Sequence, residues 1–209
     1  MPARTKSITP CTGAFVITNG QFTQVYPKIN HGQHCAAEFL TEFCQDVGIP
    51  ANLKSDLVAK EFHGQHSEFY RFAKKRQINL TWAEAEQTNQ VYAVDLEIRE
   101  LKKRWHCKMV AKQVPKQMWD FGLQHSAKIM QLIPCSSPSN RTGYELVTGR
   151  RTPDISELCD FDFWDLVWYH TGKHPSVSAE NRALGQWAGD SHQIGSDLLD
   201  HACLWHPYQ

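Results

Sequence analysis

The sequence predicts a mixed α/β domain that opens on an antiparallel hairpin and runs on in the order β-β-α-β-α-β-α-α. Three observations carry this reading. Two β-rich runs, 14–18 and 22–26, flank Asn19-Gly20, a strong short-range hairpin signal. Two further bounded runs of strand character, 52–55 and 78–82, alternate with segments whose apolar residues recur at helical spacing. A long helical stretch after Glu84, and another opened by Pro115, each carry an apolar stripe.

Element by element, Cys35, Phe39, Leu40 and Phe43 predict a helix over about 34–47, stopped by Gly48 and Pro50. A second helix over about 65–76 turns Phe69 and Phe72 inward. The long helix carries Val91, Val94, Ile98, Leu101 and Trp105, with Lys and Arg between them. In the helix after Pro115 the expected buried stripe is Trp119, Leu123, Ile129 and Leu132. Beyond Pro134 the texture changes. Residues 135–142 are rich in Ser, Pro and Asn and read as a loop, 143–148 as a helical turn, and 161–169 (FDFWDLVWY) as a strand. The expected division is an α/β core over 1–134, a connecting region over 135–160, and a small β-rich C-terminal segment over 161–209.

Composition sets the outer bounds. The 209 residues are 41% hydrophobic and 11% aromatic, which supports a sizeable core and excludes a disordered tail. No apolar run approaches the roughly 18–20 residues that span a bilayer, and MPARTKSITPCTG lacks the apolar centre of a signal peptide, so no membrane partner is expected. The 22 basic and 22 acidic residues cancel, which taken alone argues against nucleic acid. Divided by segment the balance is different. Residues 1–70 hold 5 basic and 6 acidic residues, 71–151 hold 15 and 7, and 152–209 hold 2 and 9, for nets of −1, +8 and −7. A basic middle and an acidic tail leave room for a polyanion on one segment.

The 7 cysteines form no CxxC pair and their number is odd, which predicts free thiols in a reducing intracellular compartment, nuclear or cytoplasmic. Among 11 histidines, the nearest approaches to a ligand cluster are His31/His34/Cys35 and His201/Cys203/His206. Neither has a second half at zinc-finger spacing, so structural zinc is not expected. Ser/His pairs occur without a nucleophile-elbow context, which leaves a hydrolytic small-molecule enzyme unsupported.

Three blocks, spread in order over about 13–205, carry a family resemblance. Gly48-Ile49-Pro50, Ser55-Asp56 and Lys60-Glu61-Phe62 resemble the segment around the second catalytic aspartate of retroviral and retrotransposon integrases. Asp95-Leu96-Glu97-Ile98-Arg99-Glu100-Leu101-Lys102 resembles the integrase helix that bears the third carboxylate. The block from Tyr144-Glu145-Leu146-Val147-Thr148-Gly149-Arg150-Arg151 through Thr152-Pro153-Asp154-Ile155-Ser156-Glu157-Leu158 is similar to one just after the catalytic core of copia-type integrases. The resemblance implies a ribonuclease H-like mixed sheet flanked by helices. It also implies DNA as partner, an assembly open to homo-oligomers, and in-line phosphodiester chemistry on two Mg²⁺ ions held by three carboxylates.

On this resemblance Asp56 takes the second position and Asp95 the third, 39 positions later. Aspartate stands there in place of the family's glutamate, one methylene shorter, and a ligand displaced by about 1 Å costs of order 100-fold in rate. Glu97 lies about 200° further round the helix and is expected to be solvated, paired with Lys or Arg a turn away. Glu61 is expected as an accessory acid in a salt bridge or on the surface. Residues 1–45 contain only Glu38 and Glu42 as acids, both in the first predicted helix, so the first catalytic aspartate is not present. The expectation is an N-terminally truncated integrase fragment of a copia-type retrotransposon polyprotein, defective in strand transfer. The alternative is a domesticated, non-enzymatic module that binds nucleic acid or protein. Arg99, Lys102, Lys103 and Arg104, in the basic run 99–112, are the expected contacts to DNA phosphates, while Trp105 belongs to the core.

Overall fold

The computed structural model describes residues 9–30, 32–56, 67–83, 92–134, 140–153, 156, 160–170, 182–190 and 202–205. The hairpin forms β1 (Gly13–Thr18) and β2 (Thr23–Lys28), antiparallel, with Val16 opposite Val25. The turn lies one residue beyond the expected one. Asn19 N–H donates to the Phe22 carbonyl at 3.2 Å, which leaves Gly20-Gln21 as the tip, with Gly20 at φ 86°. Glycine is needed there because the first central residue of this turn has positive φ. The Asn19 side chain instead accepts from the Gln21 and Phe22 amides, so Phe22 belongs to the turn and not to a strand.

Helix α1 (Gln33–Asp46) buries Cys35, Ala36, Phe39, Leu40 and Phe43, the predicted stripe with Ala36 added. Phe39 stacks on Phe15 of β1 with ring centroids 5.1 Å apart and meets Tyr26 of β2 edge-on at 5.4 Å. Strand β3 (Asn52–Asp56) pairs in parallel with β4 (Asn79–Ala83) across helix α2 (Glu68–Lys75). The Ser67 hydroxyl caps α2 by accepting from the Tyr70 amide, and Phe69 is buried as expected. These elements and the hairpin share one aromatic core.

Helix α3 (Tyr92–Ala111) buries only Leu101 and Trp105, while Val94 and Ile98 are half-buried; Val91 lies outside the described residues. A 3-10 turn at Lys116–Met118 leads into helix α4 (Trp119–Leu132). Here the predicted stripe is corrected. The buried side is Asp120, Gly122, Ser126, Ala127, Gln131 and Leu132, whereas Trp119, Leu123 and Ile129 are half-buried. The reason is close approach. A Cβ on Gly122 would lie 2.1 Å from the Trp105 ring, so a small residue is required where α4 crosses α3. The polar members of that face serve β2: the Gln131 amide donates to the Thr23 carbonyl, and the Gln124 amide to the Val25 carbonyl at 3.4 Å.

Helix α5 (Gly143–Thr148) is held by a capping box. Thr142 Oγ1 accepts from the Glu145 amide at 3.1 Å, the Glu145 carboxylate faces the Thr142 amide, and Gly149 ends the helix at φ 68°. The C-terminal sheet is antiparallel, β5 (Leu166–His170), β6 (Arg182–Asp190) and β7 (Ala202–Trp205). The strand expected over 161–169 therefore starts late. Phe161 to Asp165 form a turn with Trp164 at φ 74°, and Phe163, fully buried, meets Trp105 edge-on at 5.3 Å. Alternating aromatics signal a strand, but this alternation is that of a turn pinned to the core.

The strands lie in three sheets, β1-β2, β3-β4 and β5-β6-β7, so a continuous mixed sheet is not formed among the described residues. The break falls between β1 and β3.

Replacing Gly122 by Ala is expected to destabilise the protein by about 1–3 kcal/mol through overpacking on Trp105, read as an earlier urea midpoint at unchanged slope.

Candidate functional site

The gap between β1 and β3 is a cavity of about 560 Å³. Val16, Ile17, Thr18 and Asn19 line one wall, Asn52, Leu53, Lys54 and Ser55 the other. Phe39, Phe43 and Phe69 supply an aromatic lining, and Val94 and Asp95 close it from the first turn of α3. Asp56 is the last residue of β3, opposite Ala83 of β4. The fold thus brings the end of β3 and the start of α3 to one cavity, with Asp95 exposed at its rim.

Glu97 corrects the sequence expectation. It is half-buried, and its Oε2 accepts from the Thr23 hydroxyl at 3.5 Å, so it faces the hairpin and not a basic neighbour on its own helix. Glu61 and the rest of Lys60-Glu61-Phe62 lie outside the described residues. Among the described residues, no group of three or more His, Cys, Asp or Glu side chains is placed to hold a metal ion. Asp56 and Asp95 alone do not make the three-carboxylate set that two Mg²⁺ ions require.

His34 is engaged otherwise than as a metal ligand. Its Nδ1 lies 2.9 Å from Glu68 and its Nε2 3.2 Å from Glu38, an arrangement that joins α1 to α2. The Glu68 hydrogen bond, with the charges of both glutamates, raises its pKa. Cys35 is buried with its thiol on Asn30 Oδ1. His31, His201 and His206 lie outside the described residues. The described thiols Cys11, Cys35, Cys44 and Cys107 are free.

On α3, Arg99, Lys102, Lys103 and Arg104 are all exposed. At 100° per residue, Arg99, Lys102 and Lys103 fall within about 100° of one another with His106 between, opposite the buried Leu101 and Trp105. Arg104 stands apart, and with Lys103 it lines the groove between α3 and α4. The lower half of the basic run is already occupied. Lys108 pairs with Asp162 at 2.5 Å, and Lys112 with Asp165 at 2.6 Å and Asp162 at 3.6 Å. Part of the acidic tail therefore neutralises part of the basic middle inside the molecule, which residue counts could not reveal.

Partial burial pushes Asp162 up, but the hydrogen bond and charge of Lys108 outweigh it and hold its carboxyl below the usual range. Asp165 is lowered first by the Lys112 hydrogen bond and then by the Asp162 amide. The third sequence block folds as a clasp. Glu145 accepts from the Thr152 amide at 3.0 Å, which lowers its pKa, and Gly143 sits where a Cβ would be 2.0 Å from the Gln21 carbonyl oxygen. The described part of this block therefore fastens α5 to the hairpin tip.

No protein-family model matches the chain, and no curated protein matches its sequence. Among solved structures the fold is integrase-like. A chain of the cryo-EM structure of the simian T-cell lymphotropic virus intasome, in complex with the PP2A regulatory subunit B56 gamma, is similar over 83% of this chain. The identity is 16% and the TM-score 0.55. This chain spans 61% of that neighbour's length. The crystal structure of the catalytic core domain of BIV integrase aligns over 71% of this chain and 88% of its own. Its identity is 17% and its TM-score 0.49. At these identities the similarity is one of fold. No described helix is long and apolar enough to cross a membrane.

Asp162 and Asp165 both have depressed pKa values, so their ion pairs with Lys108 and Lys112 contribute stability above the ordinary aspartate value of 3.8, and that contribution is lost as the pH falls below it. Thermal unfolding followed between pH 5 and pH 2.5 is expected to show a falling Tm. The Asp162→Asn/Asp165→Asn variant is expected to have a lower Tm at pH 5 and a shallower fall.

Proposed function

We propose that this chain is an integrase-like fragment of a copia-type retrotransposon polyprotein, which contacts DNA through α3 and does not perform strand transfer by itself. The observation that carries the proposal is that β3 up to Ser55, the neighbour of Asp56, and Asp95 in the first turn of α3 line one cavity, on an integrase-like fold. The three ordered sequence blocks support the copia-type origin. In this reading Asp56 and Asp95 are the second and third metal carboxylates, with Mg²⁺ as the cofactor of the complete site. Two carboxylates are too few for two-metal phosphoryl chemistry. Glu97, turned to Thr23, is not free to substitute.

DNA contact is assigned to Arg99, Lys102 and Lys103, which share one exposed face of α3, with Arg104 contributing less because it stands about 100° further round the helix. Such contacts are to backbone phosphates and carry no base specificity. A homo-oligomer would multiply them, as in bivalent binding.

Fluorescence anisotropy with a labelled random-sequence duplex is expected to show weak binding that falls with salt. Replacing Arg99, Lys102 and Lys103 by Ala should reduce the slope of log K against log salt by about 2–3, since each phosphate contact contributes close to 0.9. Salt-independent binding, or an unchanged slope, would remove the DNA assignment. In a Mg²⁺-supplemented end-joining assay the purified chain is expected to give no product. A joined product that vanishes on Asp56→Ala would overturn the claim of incompleteness. DNA binding without joining, with no response to Asp56→Ala or Asp95→Ala, is common to the fragment and to the non-enzymatic module. Restoration of joining by a supplied third carboxylate would separate them.

A further inference from the structure

We infer that the cavity between β1 and β3 is a docking slot for an extended peptide strand from another polypeptide, which would join the two half-sheets into one. The inference does not depend on the integrase reading.

Side chains alternate from face to face along a strand, so a cavity lying on one face of a sheet touches every second residue. This one touches consecutive residues on both walls, 16 to 19 and 52 to 55, and therefore abuts the strand edges. Hydrogen-bond phase agrees. The Asn19–Phe22 bond makes Phe15 and Ile17 the β1 residues that face β2, so Val16 and Thr18 turn their N–H and C=O the other way. On β3, the Ala51 carbonyl accepts from the Asn79 amide, so Leu53 and Ser55 face β4, and Asn52 and Lys54 turn theirs outward. No backbone partner of these four outward-turned residues is found among the described residues.

The opposite edge of the hairpin is closed, which shows what an edge finished within the chain looks like. On β2 the Thr23 and Val25 carbonyls accept from Gln131 and Gln124 of α4. Pro27, in the same phase, has no N–H to offer. Among the described residues β1 and β3 have neither device, although an exposed edge is a standing template for another strand.

The chemistry of the walls selects the occupant. Only a peptide backbone offers donors and acceptors at about 3.3 Å per residue to two edges at once. Four residues would span the walls, in about 13 Å. Side chains on one face would meet Phe39, Phe43 and Phe69, which calls for apolar, β-branched residues at alternate positions.

The probe is a synthetic peptide of alternating valine and threonine, seven residues long, with a lysine at each end and blocked termini. A second peptide carries N-methyl groups on alternate amides. Isothermal titration calorimetry and amide hydrogen exchange on the full chain supply the readouts. The expected result is saturable binding with new protection at Val16, Thr18, Asn52 and Lys54, weakened about tenfold or more by N-methylation. Val16→Pro removes one slot-facing donor and leaves the β2 ladder intact, and it should weaken binding at an unchanged fold judged by circular dichroism. Equal affinity of the two peptides, or protection elsewhere, overturns the inference. So does protection of these four amides in the free chain. If that protection accompanies a dimer in sedimentation analysis, the occupant is a second copy; in a monomer, it is a segment of the same chain.

Discussion

The contact of Trp105 with Gly122 sets how closely α3 and α4 approach, and three parts of the molecule take their positions from it. The indole fills the space a side chain on Gly122 would need. Its other side receives Phe163 edge-on, and Val114, Met118, Trp164 and Ala188 complete the cluster. The C-terminal sheet is thereby seated on the helices that carry the basic residues. Moving α4 away from α3 would also withdraw Gln124 and Gln131 from the β2 carbonyls, leaving that edge open. One close approach thus governs the helix pair, the C-terminal sheet and the closed side of the hairpin.

The same arrangement explains why charge counted along the chain overstates the field at the surface. Asp162 and Asp165 sit beside Phe163, and seating Phe163 on Trp105 brings them to Lys108 and Lys112 on the same helix. What is left for a polyanion is the N-terminal half of the run, around Arg99, Lys102 and Lys103. Partly exposed pairs of this kind are individually weak, so their role is to orient the turn more than to stabilise it.

Much of the fold was legible in the sequence where a local signal decides the outcome. Asn19-Gly20 marked the hairpin, and the spacing of Cys35, Phe39, Leu40 and Phe43 marked α1. Gly48 and Pro50 marked where that helix stops. The errors fall where a distant partner decides. Of the stripe expected in α4, Leu132 is buried but Trp119, Leu123 and Ile129 are only half-buried, while Gly122 takes the buried side because the Trp105 ring leaves no room there for a side chain. Phe161 and Phe163 alternate like a strand but belong to a turn, because Trp105 offers a socket for one ring. For the site, the motif blocks pointed to Asp56 and Asp95, and the fold sets the segments that hold them beside one cavity. The turning of Glu97 to Thr23 was not readable, since it depends on how α3 packs on the hairpin. Nor was the slot, a relation between the edges of two strands far apart in the chain.

The clasp of α5 on the hairpin tip bears on the order in which the molecule is built. The hairpin closes through near neighbours, but the Gly143–Gln21 contact joins residues 122 positions apart. A loop of that size is slow to close. On the ribosome, the first strand pair is complete long before Gly143 emerges to seat against it. Until then the tip is free to twist, and the edge of β1 has no fixed direction. Nascent chains therefore pass through a long interval in which this strand is most open to capture by a wrong neighbour.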